Sequence, residues 1–277
     1  MAQQEQTASA DRETGEAGEL PVAVKRAGEG PPLFLLHGGM GSWTHWVRNI
    51  DALAQHFSVM ALDLPGYGDA PDIDRTMEAE EYLDVVEGAV TALAPEGERL
   101  RFTGFSFGSA ISAAMAARLG DRVERISLIG AAGFDAKGRP PLDMRSYKEV
   151  KGDDAVFREV LRHNMLSLML QHPESIDEET LDIQYANVTR TRFNSRKVSV
   201  QPRLVGDLEK ATCRVQIIWG EHDVTAHPSI EARAEVCRAV IPDLRVDVVA
   251  DAGHWTQYEA ADEVNRQLLD FLLDDRD

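Results

Sequence analysis

The stretch "LRFTGFSFGSAISAAMAARLG" (residues 100–120) changes its character halfway along. "LRFTGF" reads as a short buried strand, and "SFGSAISAAMAARLG" reads as a helix that Gly120 caps at its C-terminus. The junction carries Gly104-Phe105-Ser106-Phe107-Gly108, a Gly-x-Ser-x-Gly pattern. Alone, this pattern is common. Between a strand and a helix it predicts a sharp, strained turn that lifts a serine out of the sheet edge. Such a turn needs small neighbours, which Gly104 and Gly108 supply. Ala110, Ala113, Ala114 and Ala117 let the helix press closely on the sheet. The helix N-terminus then aims its N–H groups at the place where negative charge would develop.

Outward from this turn, strand and helix patterns alternate. Upstream lie "VAVKR" (22–26), "PPLFLLHGG" (31–39), "FSVMALDLPGYG" (57–68) and a helical stretch with Tyr82, Val85, Val86, Ala89, Val90 and Leu93 on one face. Downstream lie "RISLIGAAG" (125–133), "CRVQIIWG" (213–220), a helix near 229–240, "LRVDVV" (244–249) and a last helix near 260–273. The alternation predicts an α/β fold with a mostly parallel central sheet and helices on both faces. Residues 134–211 interrupt it with charged, helix-like segments. Within them Phe157, Val160, Leu161, Met165 and Leu168 repeat every three or four positions, with Asp153 or Asp154 near the start. Residues 134–211 are therefore expected to form a helical cap over the strands' C-terminal ends, where ligands bind in open α/β sheets. The core is expected at 20–133 and 212–277. Residues 1–19 are polar and acidic, and read as a disordered tail.

A serine needs a base, and the base needs an orienting acid. "IIWGEHD" places Asp223 just past one strand and "DAGHWTQYEA" places His254 just past the next. The chain order Ser106, Asp223, His254 is the one a strand–turn–helix nucleophile requires. His254 would take the serine proton, and Asp223 would hold the imidazole tautomer. Glu221 and Asp251 are competing acids. The oxyanion donors are expected to be the backbone N–H of Phe107 and that of Gly39 in "HGGMGSW", with Gly38 second. His37 is expected to be structural, Asp63 to serve its turn, and His45, His222 and His227 to be polar lining or surface. Trp43, Trp46, Phe105 and Trp255 are aromatics available to a pocket.

The chain has 277 residues, 43% of them hydrophobic, and a formal charge of −18. That is enough for a sizeable core, and the charge argues against nucleic acid and anionic membranes as partners. Two cysteines make no disulfide framework, which suits the cytoplasm. No Cys/His cluster has metal-ligand spacing. The N-terminus lacks the apolar run of a signal peptide.

The segments "LLHGG", "ALDLPGYGDA", "GFSFGSA", "WGEHD" and "AGHW" together resemble the α/β-hydrolase fold superfamily, over nearly the whole chain after about residue 20. The resemblance implies an α/β-hydrolase fold with the helical cap inserted after the sixth strand. The ending "AGHWTQYEAADEVNRQLLDFL" is similar to meta-cleavage product hydrolases, which cut a C–C bond in 2-hydroxy-6-oxo-dienoates, and to related carboxylesterases. The resemblance further implies no metal or organic cofactor, a small-molecule substrate and, in many members, a homodimer or larger assembly. By it, Trp255 contacts substrate. That subgroup carries an Asn where Phe105 stands and a cap Arg that grips the dienoate carboxylate, at a position the rough register gives to Gln184. Arg190 and Arg192 follow shortly after as substitutes. The expected function is thus a serine hydrolase of a small, mostly apolar carbonyl substrate. A carboxylesterase or lactonase is the alternative, and a ligand-binding protein on a hydrolase scaffold is the non-enzyme alternative. Gly38, Trp43, Phe105, Arg190 and Trp255 are the expected substrate contacts.

Overall fold

The apolar runs of the sequence become the seven strands of one sheet in the computed structural model, which describes residues 20–135, 137–150 and 152–274. The tail expected over 1–19 lies outside the described residues. The strands are β1 (Ala23–Ala27), β2 (Pro32–Leu36), β3 (Ser58–Asp63), β4 (Leu100–Phe105), β5 (Val123–Ile129), β6 (Arg214–Gly220) and β7 (Arg245–Val249). Their spatial order is β1-β3-β2-β4-β5-β6-β7, with β1 antiparallel to β3 and every other pairing parallel. The helices are α1 (Ile50–Leu53), α2 (Ala79–Leu93), α3 (Phe107–Leu119), α4 (Asp154–Leu168), α5 (Glu178–Thr189), α6 (Arg196–Ser199), α7 (Leu204–Leu208), α8 (Ile230–Arg238), α9 (Thr256–Glu259) and α10 (Ala261–Leu272). None among the described residues is long and apolar enough to cross a membrane.

Burial on both faces explains why the strands read as continuous apolar runs rather than alternating ones. In β2, Phe34 and Leu36 point into one core, with Tyr82, Val86 and Val90 of α2 and Ala234 and Cys237 of α8. Leu33 and Leu35 point into the other, with Leu53 of α1 and Leu268, Phe271 and Leu272 of α10. Helix α3 is buried from Phe107 to Ala116 on all its sides. It lies under the sheet and is covered in turn by Val198, Leu204 and Leu208 from α6 and α7. A helix buried all round has no polar face, which is why this stretch looked uniformly small and apolar.

The direction in which strands are added reverses between β2 and β4. Crevices at such switch points are where open α/β sheets hold ligands, and the β4–α3 turn stands there. Helices α4 to α7 fill the connection between β5 and β6. Counted among the described residues, this insertion follows the fifth strand rather than the sixth, because a single antiparallel strand precedes β2. Asp153 caps α4, its carboxylate accepting from Val156 N at 3.2 Å. Phe157, Val160, Leu161, Asn164 and Met165 form the buried face of α4. Among the contacts that tie the insertion to the core, Trp255 N donates to Met169 O at 2.7 Å, and Arg192 N donates to Gly66 O at 2.9 Å.

Candidate active site

Ser106 occupies the corner between β4 and α3 with φ 49° and ψ −110°. Side chains other than glycine's avoid positive φ, so the corner stores strain on the order of 1–3 kcal/mol. Surrounding bonds hold it there. Ser106 N donates to Ile129 O at 2.8 Å, and the Ser106 carbonyl accepts from Ser109 N at 2.9 Å. Close approach sets the flanking glycines, because a Cβ on Gly108 would run into the backbone of Leu36 and one on Gly104 into the carbonyl of Gly108. The Phe107 ring packs into the core beside Tyr67 and Tyr82, with ring centres 5.7 and 5.8 Å away. Its N–H is the first of α3 and has no acceptor within the helix.

Asp223 follows β6 and His254 follows β7. The His254 Nδ1–H donates to Asp223 Oδ2 at 2.8 Å, and Thr225 N donates to Asp223 Oδ1 at 2.8 Å. Both side chains are buried. Burial pushes the Asp223 carboxyl up, but the charge and hydrogen bond of His254 and the bonds from Thr225 outweigh it and hold the carboxyl below its usual range. The rival acids are otherwise engaged: Glu221 accepts from Asp251 N at 3.0 Å, and Asp251 is exposed. The imidazole is wedged in place. Gly130, at φ 54°, leaves no room for a Cβ, which would lie 2.8 Å from His254 Nδ1. On another side the Phe105 ring stands 4.9 Å from the His254 ring and 5.4 Å from that of His45. Ser106 and His254 line one cavity, and among the described residues no hydrogen bond joins their side chains. Such a bond often tightens only when substrate binds.

The loop after β2 is braced by two wholly buried histidines. His37 Nδ1 bonds Gly38 O at 2.7 Å and its Nε2 accepts from Leu64 N at 3.0 Å, which makes it the structural residue expected. Burial drops it to about 4, a backbone bond opposing. His45 was expected as polar lining or surface, but it is fully buried. Its Nδ1 accepts from Gly38 N at 3.2 Å and its Nε2 faces Gln184 Oε1 at 3.4 Å. Burial, then the neighbouring His37, lowers it to about 3. The Gly38 N–H is therefore spent on His45, which leaves Gly39 the better-placed donor. Gly39 lines the cavity, and a Cβ there would meet Ser195 Oγ at 2.5 Å. Asp63 ties this loop to its own turn, accepting from Trp43 N at 2.7 Å and Asp69 N at 2.8 Å.

The cavity holds about 370 Å³. Phe105, Phe134, Met144, Tyr147, Met165 and Leu168 give it a largely apolar wall. Of the expected substrate contacts, Phe105 is in this wall and the others stand off it. Gly38 is bound to His45. Trp43 lies against the Lys25 ammonium, 5.6 Å from its ring centre. Trp255 is fully buried, stacked on Tyr258 at 4.1 Å, with its indole N–H on His45 O at 3.1 Å. Arg190 pairs with Asp69 at 2.8 Å outside the cavity, and Arg192 pairs with Asp72. Both arginines dock the insertion onto the 66–72 turn, which is why neither turns inward. Gln184 reaches the wall but is held by Met40 O, to which its Nε2 donates at 3.2 Å. Sequence reasoning missed Ser195, Thr225, Arg139, Arg196 and Arg233. Thr225 carried a signal, two residues past the acid; the arginines are scattered along the chain and carried none.

Fold and site together define an enzyme-like α/β architecture with a serine at its switch point. The chain belongs to the alpha/beta hydrolase family, whose model matches residues 33–267. It is 30% identical over 272 residues to the dihydrolipoyllysine-residue acetyltransferase component of an acetoin cleaving system from Pseudomonas putida, covering 92% of this chain and 67% of that one. It is 28% identical to a 2-hydroxy-6-oxo-6-phenylhexa-2,4-dienoate hydrolase from Comamonas testosteroni, covering 91% of each chain. A crystal structure of a mutant of the meta-cleavage product hydrolase CumD superposes with a TM-score of 0.69 at 25% identity, covering 91% of this chain and 94% of that one.

Proposed function

We propose that the chain is a serine hydrolase acting on a small, mostly apolar carbonyl substrate, with an ester the bond the site suits best. The observation that carries this reading is the buried His254–Asp223 pair, 2.8 Å apart, whose His254 shares a cavity with a serine held at positive φ. Ser106 Oγ attacks the carbonyl carbon while His254 Nε2 takes its proton. The oxyanion forms against the Phe107 and Gly39 N–H groups. As the tetrahedral intermediate collapses, the leaving alcohol receives that proton from His254. Water then attacks the acyl-enzyme, again giving its proton to His254, and the acid leaves as Ser106 recovers its hydrogen.

The likeness to a dienoate hydrolase over 91% of both chains favours a second reading, in which the bond cut is C–C. The neutral Gln184 and the outward Arg190 speak for the ester, because neither supplies the cation that the resemblance implies at the cap Arg position. A fluorophosphonate probe at neutral pH should label wild type at Ser106 and leave Ser106→Ala untouched. Absence of labelling would end the nucleophile assignment. Short-chain 4-nitrophenyl esters beside a 2-hydroxy-6-oxo-dienoate then separate the two bonds.

A further inference from the structure

An apolar cavity has little use for positive charge, yet Arg139, Arg196 and Arg233 stand in its wall. They come from separate elements: the loop after β5, the start of α6 and the middle of α8. Several arginines elsewhere in this chain meet acids. Arg118, Arg190 and Arg203 pair with Glu80, Asp69 and Asp207. With 47 acidic residues against 29 basic ones, an acid is the easiest partner to find. Among the described residues these three arginines have none, and the buried Nε atoms of Arg139 and Arg233 lack any hydrogen-bond partner. Asp223 acts on Arg139 through its charge, but its oxygens are taken by His254 and Thr225.

Burial pushes the Arg233 guanidinium below its usual range, and the charge of Arg139 pushes the same way, with Cys237 and Asp135 opposing. Burial does likewise to Arg139, with Asp223 opposing and Arg196 adding. Part-buried like charges of this kind are costly when uncompensated. Arg233 is nevertheless held in place. Its Cζ lies 4.2 Å from the Phe134 ring centre, and it donates to Asp135 O at 3.1 Å. A stacked guanidinium with spare donors is preorganised for a flat, two-oxygen anion.

We propose that Arg139 and Arg233, with Arg196 at the rim, bind a carboxylate carried by the substrate at the Phe134 side of the cavity. This rests on the hydrolase reading above and narrows it. The substrate class is a half-ester of a short dicarboxylic acid: one carboxyl esterified and presented to Ser106, the other free and ionised. The apolar wall takes the linker. The anion is held by Arg139 and Arg233 rather than by the position of Gln184, where the resemblance implied a cap Arg.

The test compares mono-4-nitrophenyl glutarate with 4-nitrophenyl hexanoate, a neutral ester of similar length. Wild type should favour the half-ester by about tenfold or more in kcat/KM, mostly through KM, as charge-assisted recognition provides. In R139Q/R233Q that ratio should fall to about one. A wild-type preference for the neutral ester, or a ratio that survives the double substitution, overturns the proposal. A second arm needs neither turnover nor the arginine variants. By calorimetry, Ser106→Ala should bind monobenzyl glutarate more tightly than benzyl methyl glutarate, and equal binding overturns the carboxylate site. If neither nitrophenyl ester is turned over while calorimetry shows the preference, the hydrolase reading fails and the anion site stands.

Discussion

Phe105 shows how one residue's meaning depends on its neighbours. Beside the serine it looks like an intrusion, but its ring packs between those of His45 and His254, 5.4 and 4.9 Å away. The same ring explains Gly38, where a Cβ would lie 2.8 Å from Phe105 Cδ1. Asp223 acts at this scale too. Its carboxylate accepts the Nδ1 proton, which in the proposed reaction leaves Nε2 free to take one from Ser106. Asp223→Asn preserves shape but favours the wrong tautomer. Its kcat on a 4-nitrophenyl ester should fall by about 10³- to 10⁴-fold with little change in KM. A loss below tenfold would mean that another acid orients His254.

At the scale of elements, the β4–α3 corner depends on how closely α3 approaches β2. Gly108 is the point of nearest contact, where any side chain meets the backbone of Leu36 rather than a movable side chain. Gly108→Ala should therefore cost about 1–3 kcal/mol in urea unfolding, the range for overpacking, even though alanine is the better helix former. A neutral or stabilised variant would show that the corner relaxes. The insertion obeys the same logic. Helix α4 lays its apolar face on the core, while the segment after α5 is fixed by the 66–72 turn through Arg190 and Arg192. Arginines that looked like substrate contacts in sequence are structural fasteners.

Across the whole molecule, two histidines buried neutral link stability to pH. His37 and His45 titrate near 4 and 3 when folded, against 6.5 when free. Between those values the unfolded chain binds more protons than the folded one, so their contribution is complete above 6.5 and drains away as pH falls. By pH 5 the loss should be roughly 2 kcal/mol for each imidazole. Urea unfolding at pH 7, 6 and 5 measures it, and His45→Asn should flatten the slope. A stability that is level from pH 7 to 5 would contradict the neutral, buried state of both rings.

The sequence alone determined the alternating strands and helices, the strand–turn–helix around Ser106 and the chain order of Ser106, Asp223 and His254. These are local patterns, set by periodicity and by glycine at positions that admit no side chain. It also marked His37 as structural and Asp63 as a turn residue, because each bonds its own loop, to Gly38 O and Asp69 N; that each also ties that loop to another, through Leu64 N and Trp43 N, it did not show. Only the tertiary structure decided which side chains face the cavity. Trp255 and Arg190 turn to partners far along the chain, His45 and Asp69. Arg139, Arg196 and Arg233 meet at one wall although nothing in the sequence links them. Direction and proximity across elements depend on packing of the whole chain, and no local spacing encodes them.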